Sequence, residues 1–162
     1  MELPDAAATE ALGARLAALV EGGDAIALVG ELGAGKTTLV AGLVAALGGG
    51  EAHSPTFSLV HEYRGGRLVV WHADLYRIER EAELPELGLD DVVGDRRGIV
   101  VVEWADRFDV LPADHLVLEL GHTATGRTVV ATGTGPRGRA LAAMIASHGS
   151  AGARSTREGS AE

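Results

Sequence analysis

Gly30-Glu31-Leu32-Gly33-Ala34-Gly35-Lys36-Thr37 decides the fold of this 162-residue chain, because it has the form G-x-x-x-x-G-K-[ST] of a phosphate-binding P-loop. Lys36 is the only lysine, and the other 13 of the 14 basic residues are arginines. A P-loop uses lysine as a compact point charge on phosphate, whereas the planar fork of arginine suits paired contacts. The chain keeps its lysine where such a loop needs one, which predicts binding of a nucleoside triphosphate.

The residues on either side of this loop predict the strand and the helix that a P-loop requires. Ala25–Val29 is a continuous apolar run, as expected of a buried strand. After the loop, apolar residues recur at helical spacing until the glycines at 48–50, namely Leu39, Val40, Leu43, Val44 and Leu47. Backbone N–H groups of the loop and of the helix N-terminus would then surround the phosphates, and Thr37 would offer its hydroxyl to Mg²⁺.

Composition narrows the class of protein further. The formal net charge is −9 and the isoelectric point is about 5.1, which disfavours nonspecific binding to nucleic acid and suits a basic protein partner. The sequence contains no cysteine, so disulfides, zinc–thiolate sites and thiol catalysis are excluded. No signal peptide and no apolar run of membrane-spanning length is present, so a cytoplasmic location without membrane contact is expected.

The pattern along the rest of the chain predicts an α/β, three-layer, P-loop NTPase-like fold with a mixed sheet including antiparallel hairpins. Further helices are expected over residues 4–20 and 140–146, and the polar stretch 79–93 has mixed helical character. Further strands, most of them in two hairpins, are expected over residues 56–63, 67–72, 99–102, 116–120 and 128–131. Residues 1–148 should form one P-loop ATPase domain, and the small, polar residues 149–162 a disordered tail.

Two carboxylates end apolar strands and are candidates for the catalytic site. Asp74 follows residues 68–73, and Glu103 follows residues 99–102. Ligands of open α/β sheets bind outside the carboxyl ends of the strands, so both acids are expected near the nucleotide. The spacing leaves open which of the two supports Mg²⁺. We favour Glu103 for the metal and Asp74 for orienting the γ-phosphate or the attacking water.

Two interpretations stay open for the segment that follows the P-loop helix, residues 53–57. Ser54-Pro55 can simply set up the extended start of the next strand, or Thr56 can respond to the γ-phosphate and Mg²⁺ when ATP binds. The six histidines show no spacing typical of a metal cluster and are expected to be ordinary. Trp71 and Trp104 are expected as core or interface residues.

Four motifs in this order and at this spacing closely resemble the TsaE (YjeE) family, the ATPase of the tRNA threonylcarbamoyladenosine (t6A) modification system. They are the P-loop through Thr38, Ser54-Pro-Thr-Phe-Ser-Leu-Val60, His72-Ala-Asp-Leu-Tyr-Arg77 and Val102-Glu-Trp104. The resemblance extends over about residues 4–130 and leaves the C-terminal tail unexplained. It implies an ATPase, slow alone, required for t6A in tRNAs that read ANN codons. It further implies partnership with TsaB and TsaD, ATP and Mg²⁺ as cofactors, and contact with tRNA only through the complex.

The resemblance also assigns residues to roles. Catalysis falls to Lys36, Asp74 and Glu103, and the metal to Thr37 and Glu103. The implied nucleotide-binding residues are Gly33, Ala34, Gly35, Lys36, Thr37, Thr38 and Thr56, to which position alone adds Asp5, Thr9, Gly126 and Arg127.

Three other functions compete for the same residues. The usual guanine-specificity motif of GTPases, [NT]-K-x-D, is excluded because Lys36 already occupies the P-loop. A small-molecule P-loop kinase would need an arginine-rich lid, for which the candidates are Arg77, Arg80, Arg96 and Arg97. An ATP-loaded interaction module without catalytic duty is the third alternative.

Overall fold

The structure is a computed structural model that describes residues 1–50 and 59–149. This part of the chain contains three α-helices, which are α1 (Ala6–Leu19), α2 (Lys36–Leu47) and α3 (Pro136–Gly149). Its strands are β1 (Glu2–Leu3), β2 (Ala25–Val29), β3 (Val60–Tyr63), β4 (Val69–Asp74), β5 (Gly98–Glu103), β6 (Leu116–His122) and β7 (Arg127–Gly133). Two 3-10 helices, Glu81–Leu87 and Leu89–Asp91, lie between β4 and β5. No helix of the described residues is long and apolar enough to cross a membrane.

The seven strands form one mixed sheet in the order β1-β7-β6-β2-β5-β4-β3. The central strand β2 runs parallel to both β5 and β6, and β4 runs parallel to β5. The pairs β3–β4, β6–β7 and β1–β7 are antiparallel. The predicted mixed sheet with two antiparallel hairpins is therefore confirmed. The P-loop strand lies at its centre, where a strand that is apolar on both faces is best buried.

The two faces of the sheet are covered differently. All three α-helices pack on one face, where their apolar residues share a core with the inward side chains of β2, β5, β6 and β7. The other face is covered by the 3-10 helices and neighbouring loops, through residues such as Leu75, Ile78, Leu87 and Leu89. The polar stretch predicted to be partly helical is thus two 3-10 turns that contribute their leucines to this second core.

The backbones of helices α1 and α2 lie in direct contact at two glycines. A Cβ atom on Gly42 would lie 2.0 Å from the carbonyl oxygen of Glu10, and one on Gly13 would lie 2.1 Å from that of Leu39. A side chain of any size would therefore separate the helices. This contact packs the middle of α2 directly against the middle of α1, and α2 follows the P-loop in the chain.

Two departures from the sequence predictions have a cause that the structure shows. β1, which pairs with β7 through residues Glu2 and Leu3, was not predicted because two residues carry no periodic pattern. α3 begins at Pro136, four residues before its predicted start, because Asp114 caps it from a distant loop. The two carboxylate oxygens of Asp114 accept hydrogen bonds from the backbone N–H groups of Arg137 and Gly138, at 3.0 and 2.7 Å.

Candidate functional site

The glycine loop joins the end of the central strand to the first turn of α2. Gly30, Gly33 and Gly35 all have positive φ, at 149°, 78° and 103°. Gly30 also lies so close to β6 that a Cβ atom there would be 2.4 Å from the carbonyl oxygen of Leu120. Because Gly35 is the N-cap of α2 and has no side chain, the first N–H groups of the helix are left to face the loop. Such a helix N-terminus favours an anionic ligand.

The ammonium group of Lys36 lies inside the curve of this loop. Its Nζ donates hydrogen bonds to the carbonyl oxygens of Gly30 and Glu31, at 2.5 and 2.9 Å. Nζ also lies 4.1 Å from the centroid of the Trp104 ring, a cation–π distance. Burial lowers the pKa of Lys36, and the carboxylates of Glu103 and Asp74 act in the opposite direction. The only lysine of the chain is thus a shielded cation held between the loop and two acids.

Strand register brings the two predicted acids together. Asp74 and Glu103 are the last residues of β4 and β5, and they are direct partners in the parallel pairing of these strands. Glu103 is also the partner of Leu28, two residues before the glycine loop starts. The carboxyl ends of β2, β5 and β4 therefore meet at one place, as expected for the ligand-binding edge of an α/β sheet.

Glu103 is the centre of a buried polar cluster. Its Oε1 accepts a hydrogen bond from Thr37 Oγ1 at 3.0 Å, and the same oxygen lies 2.8 Å from His72 Nε2. The side chain of Glu103 is 4% exposed, and that of His72 is fully buried. Thr37 and Glu103, the two residues predicted to bind the metal, are therefore in direct contact, and their binding of a metal stays a prediction.

Asp74 lies beside this cluster and is half-buried. Its Oδ1 accepts a hydrogen bond from the backbone N–H of Tyr76 at 2.9 Å. Burial raises the pKa of Asp74, the nearby Glu103 charge raises it further, and the hydrogen bond from Tyr76 opposes the shift. A carboxyl group with a raised pKa at the mouth of a cleft is a candidate for binding or orienting a ligand.

These oxygen donors fit Mg²⁺. Thr37 offers a hydroxyl, and Glu103 and Asp74 offer carboxylates, which are the hard ligands that Mg²⁺ prefers. Within residues 1–50 and 59–149, no group of three or more His, Cys, Asp or Glu is arranged to hold a metal by itself. Mg²⁺ is commonly bound by one or two protein oxygens, with phosphates and water completing its shell. The residues present therefore suit a metal that arrives with a nucleotide.

The opposite side of the loop is formed by Arg127 and Thr9. The Arg127 guanidinium donates to the carbonyl oxygen of Gly33 from Nε and Nη2, at 3.3 and 3.2 Å. A Cβ atom on Gly35 would meet Arg127 Cδ at 3.2 Å and Thr9 Cγ2 at 3.4 Å. β7 and the start of α1 therefore support the glycine loop from behind.

Asp5 and Gly126 have structural roles close to this support. Asp5 is the N-cap of α1, where its Oδ1 accepts a hydrogen bond from Ala8 N at 2.7 Å and its carbonyl accepts one from Thr9 Oγ1 at 3.2 Å. A Cβ atom on Gly126 would lie 2.6 Å from the carbonyl oxygen of Leu3. Their predicted contacts with a nucleotide stay predictions.

A cleft of about 450 Å³ lies between the glycine loop and the strand ends. The predicted site residues that line it are Gly33, Gly35, Lys36, Thr37, Thr38, Asp74, Glu103 and Arg127. Ala34 is fully buried in the main core beneath the loop, and Thr56 lies outside the described residues. The structure thus gathers most of the predicted site around one opening.

Sequence reasoning missed the aromatic residues of this cleft. Trp71 lies in the second core as expected, but Trp104 lines the cleft and covers Lys36. The Trp104 ring packs on Tyr76 with centroids 5.0 Å apart, and its backbone has a positive φ of 57°, a strained value for a large side chain. Arg107 holds the facing turn by donating to the carbonyl oxygens of Leu75, at 2.8 Å, and Tyr76. Trp104 directly follows Glu103 in the sequence, and this could have predicted its place beside the cleft.

His72 was also missed. It was expected to be ordinary, yet it is fully buried and contacts the acid next to the P-loop threonine. The signal was its place two residues before Asp74, because alternate residues of a strand share a face. Tyr76 and Arg77 also line the cleft and belong to the same motif.

These features define a P-loop NTPase-like protein. The glycine loop joins a central parallel strand to a helix that starts with lysine and threonine, and acids end the neighbouring strands. Within that class, the chain belongs to the TsaE family. The family model described as "Threonylcarbamoyl adenosine biosynthesis protein TsaE" matches residues 3–129.

Relatives and a solved structure agree with this assignment. A tRNA threonylcarbamoyladenosine biosynthesis protein TsaE of Synechocystis is 46% identical over 118 residues, covering 68% of this chain and 73% of the relative. The Bacillus subtilis protein of the same name is 36% identical over 143 residues, covering 86% and 89%. The crystal structure of Bacillus subtilis YdiB matches with a TM-score of 0.73 and 30% identity, over 90% of this chain and 91% of that one.

Proposed function

We propose that this chain binds ATP with Mg²⁺ and hydrolyses it to support threonylcarbamoyladenosine formation on tRNA, together with TsaB and TsaD. The observation that carries the proposal is the contact of Thr37 with Glu103 beside Lys36 in one cleft. These are the residue types that phosphoryl-transfer sites use to bind phosphates and a metal. The family membership directs the proposal to tRNA modification.

Each residue is given a proposed role that its position supports. Lys36 is a buried cation at the loop and would neutralise the β- and γ-phosphates, while loop N–H groups bind their oxygens. Thr37 and Glu103 would hold Mg²⁺, which supplies charge neutralisation on the phosphates when bound. Asp74, half-buried across the register from Glu103, would orient the attacking water. Trp104 shields the lysine from solvent.

The partners enter the proposal through the family and through charge. The two curated relatives described above are named for tRNA threonylcarbamoyladenosine biosynthesis. With a net charge of −9, this chain is poorly suited to bind the phosphate backbone of tRNA directly. We therefore propose that it reaches tRNA through the TsaB–TsaD assembly, and that ATP hydrolysis supports turnover rather than the group transfer itself.

The kinase alternative gains little from the arginines that it would need. Arg80 lies 3.6 Å from Glu83, and Arg97 forms a 2.6 Å ion pair with Asp95, both at the surface. Of the four candidate arginines, Arg77 lines the cleft. An arginine-rich lid over an acceptor pocket is therefore not the arrangement of the described residues.

The test is multiple-turnover formation of threonylcarbamoyladenosine in tRNA. Purified TsaB, TsaD and a threonylcarbamoyl-adenylate source are combined with the wild-type chain, with Lys36→Ala, or with neither, and ATP hydrolysis is followed in parallel. Product that forms strongly only with the wild type, together with ATP hydrolysis, supports the proposal. Equal product in all three reactions overturns the role in tRNA modification. Product without ATP hydrolysis would favour the interaction module.

A further inference from the structure

His72 is a buried polar residue next to the candidate site. It is fully buried on β4, on the same face as Val70 and Asp74. Its ring stacks on Tyr63 with centroids 6.3 Å apart and an interplanar angle of 29°. The Nε2 atom points to Glu103 Oε1, at 2.8 Å. A buried histidine aimed at the acid that touches the P-loop threonine suggests a role beyond filling space.

The chemistry of the carboxylate identifies which way the hydrogen bond runs. Among residues 1–50 and 59–149, the buried His72 Nδ1 has no hydrogen-bond partner, so Nε2 makes the polar contact of this ring. An ionised carboxylate has no proton to donate, so His72 Nε2 carries the hydrogen of this contact and donates it to Glu103.

Glu103 Oε1 thus accepts from two donors on different elements. Thr37 Oγ1 approaches from the first turn of α2, and His72 Nε2 approaches from β4. Two donors on one oxygen fix the rotation of the carboxylate, because turning it would break both hydrogen bonds. Residues behind a metal ligand orient it in the same manner in well-characterised metal sites, where their loss costs about 10–100-fold in affinity.

We infer that His72 is a positioning residue, whose Nε2–H holds the Glu103 carboxylate in the orientation that receives Mg²⁺ beside Thr37. The inference rests on the proposed function, since it concerns the metal of that same site. A histidine that served only to fill the core would affect stability and leave the magnesium requirement unchanged.

The experiment measures the Mg²⁺ concentration that gives half-maximal binding of a non-hydrolysable ATP analogue, by calorimetry on the full-length chain. His72→Leu keeps side-chain volume and removes the donor. His72→Gln keeps an amide donor that reaches the place of Nε2. Val70→Ala is the matched control, because it creates a buried defect on the same face of β4 without touching Glu103. Binding in EDTA and the melting temperature are measured for every variant.

The expected result is a rise of about tenfold or more in the required Mg²⁺ concentration for His72→Leu. His72→Gln should stay within about threefold of the wild type, and Val70→Ala should lower the melting temperature without changing the Mg²⁺ requirement. Analogue binding in EDTA should be alike in all four proteins.

Two results would overturn the inference alone. One is a wild-type Mg²⁺ requirement in His72→Leu, and the other is an equal shift in Val70→Ala. If His72→Leu fails to fold, His72→Asn replaces it, since its amide is one methylene too short to reach Glu103. A wild-type chain whose analogue binding ignores Mg²⁺ would instead overturn the proposed metal site itself, and the inference with it.

Discussion

One wall of the cleft is a run of neighbouring residues, 30–37, whereas the other wall brings Asp74 and Glu103 together from two separate strands. The first, the glycine-loop wall, presents backbone N–H groups and a lysine. Its geometry is local, because it is set by glycines with positive φ. The second, the acid wall, presents carboxylates and a tryptophan, with the buried His72 behind Glu103. Its geometry depends on strand register. The proposed phosphate site can therefore be predicted from a short motif, whereas the proposed metal site exists only once the sheet has formed.

The largest expected effect, on ATP hydrolysis, comes from removing the charge of Glu103 in the acid wall. Glu103→Gln keeps an oxygen that can accept from Thr37 and His72, so the fold should be preserved. If Glu103 holds Mg²⁺ as proposed, the variant removes the charged ligand, and the proposed ATP hydrolysis should fall by about 100-fold or more. Burial lowers the pKa of Lys36 and the Glu103 charge opposes that shift, so the variant should lower this pKa further.

Steady-state ATP hydrolysis at several Mg²⁺ concentrations measures this effect. Glu119→Gln is the matched control, because it makes the same change at an exposed position of β6 in the same sheet. It should behave as the wild type. If Glu103→Gln hydrolyses ATP at the wild-type rate, the charge of the acid wall is not needed for hydrolysis.

A smaller effect is expected where the glycine-loop wall rests on α1. Gly42→Ala places a methyl group 2.0 Å from the carbonyl oxygen of Glu10, so the two helices must separate. Alanine forms helices better than glycine by about 1 kcal/mol, yet we expect a net loss of about 1–3 kcal/mol in the free energy of unfolding. Separation would also move the start of α2 relative to Thr9, which should weaken nucleotide binding.

Urea unfolding and nucleotide titration check this prediction. Ala46→Ser, at an exposed position of the same helix, serves as the control and should stay within about 0.5 kcal/mol of the wild type. A Gly42→Ala protein as stable as the wild type would show that α1 does not constrain the loop helix.

The contrast between the walls also explains which features the sequence could predict. The P-loop, its strand and helix, the two hairpins and the two strand-end acids follow from periodicity and motif spacing. β1 was missed because two residues make no pattern, and the early start of α3 was missed because its cap, Asp114, is more than 20 residues away. The contact of His72 with Glu103 spans 31 residues and depends on the pairing of β4 with β5. The proposed response of Thr56 to nucleotide stays a prediction.

The smallest expected effect is on the free energy of unfolding, when Asp74 is replaced by asparagine. Burial raises the pKa of this carboxyl above the usual 3.8, and Glu103 adds to the shift. The folded chain therefore binds this proton more tightly than the unfolded chain, so stability falls as pH rises between the two pKa values and stays lower at neutral pH. Asp74→Asn removes that cost and can still accept from Tyr76. We expect a gain of less than about 1 kcal/mol at neutral pH, with slower ATP hydrolysis.

Urea unfolding at about pH 7 and about pH 4 tests the sign of this effect, because the gain should shrink as the carboxyl of the wild type becomes protonated in both states. Asp95→Asn is the opposing control, since the hydrogen bond from Arg97 lowers the pKa of Asp95 and its loss should destabilise the chain at neutral pH. If Asp74→Asn were less stable than the wild type at neutral pH, attraction between Asp74 and Lys36 would outweigh the cost of burial. The two walls would then stabilise each other. The charge of Asp74 would then not lower the stability of the folded chain.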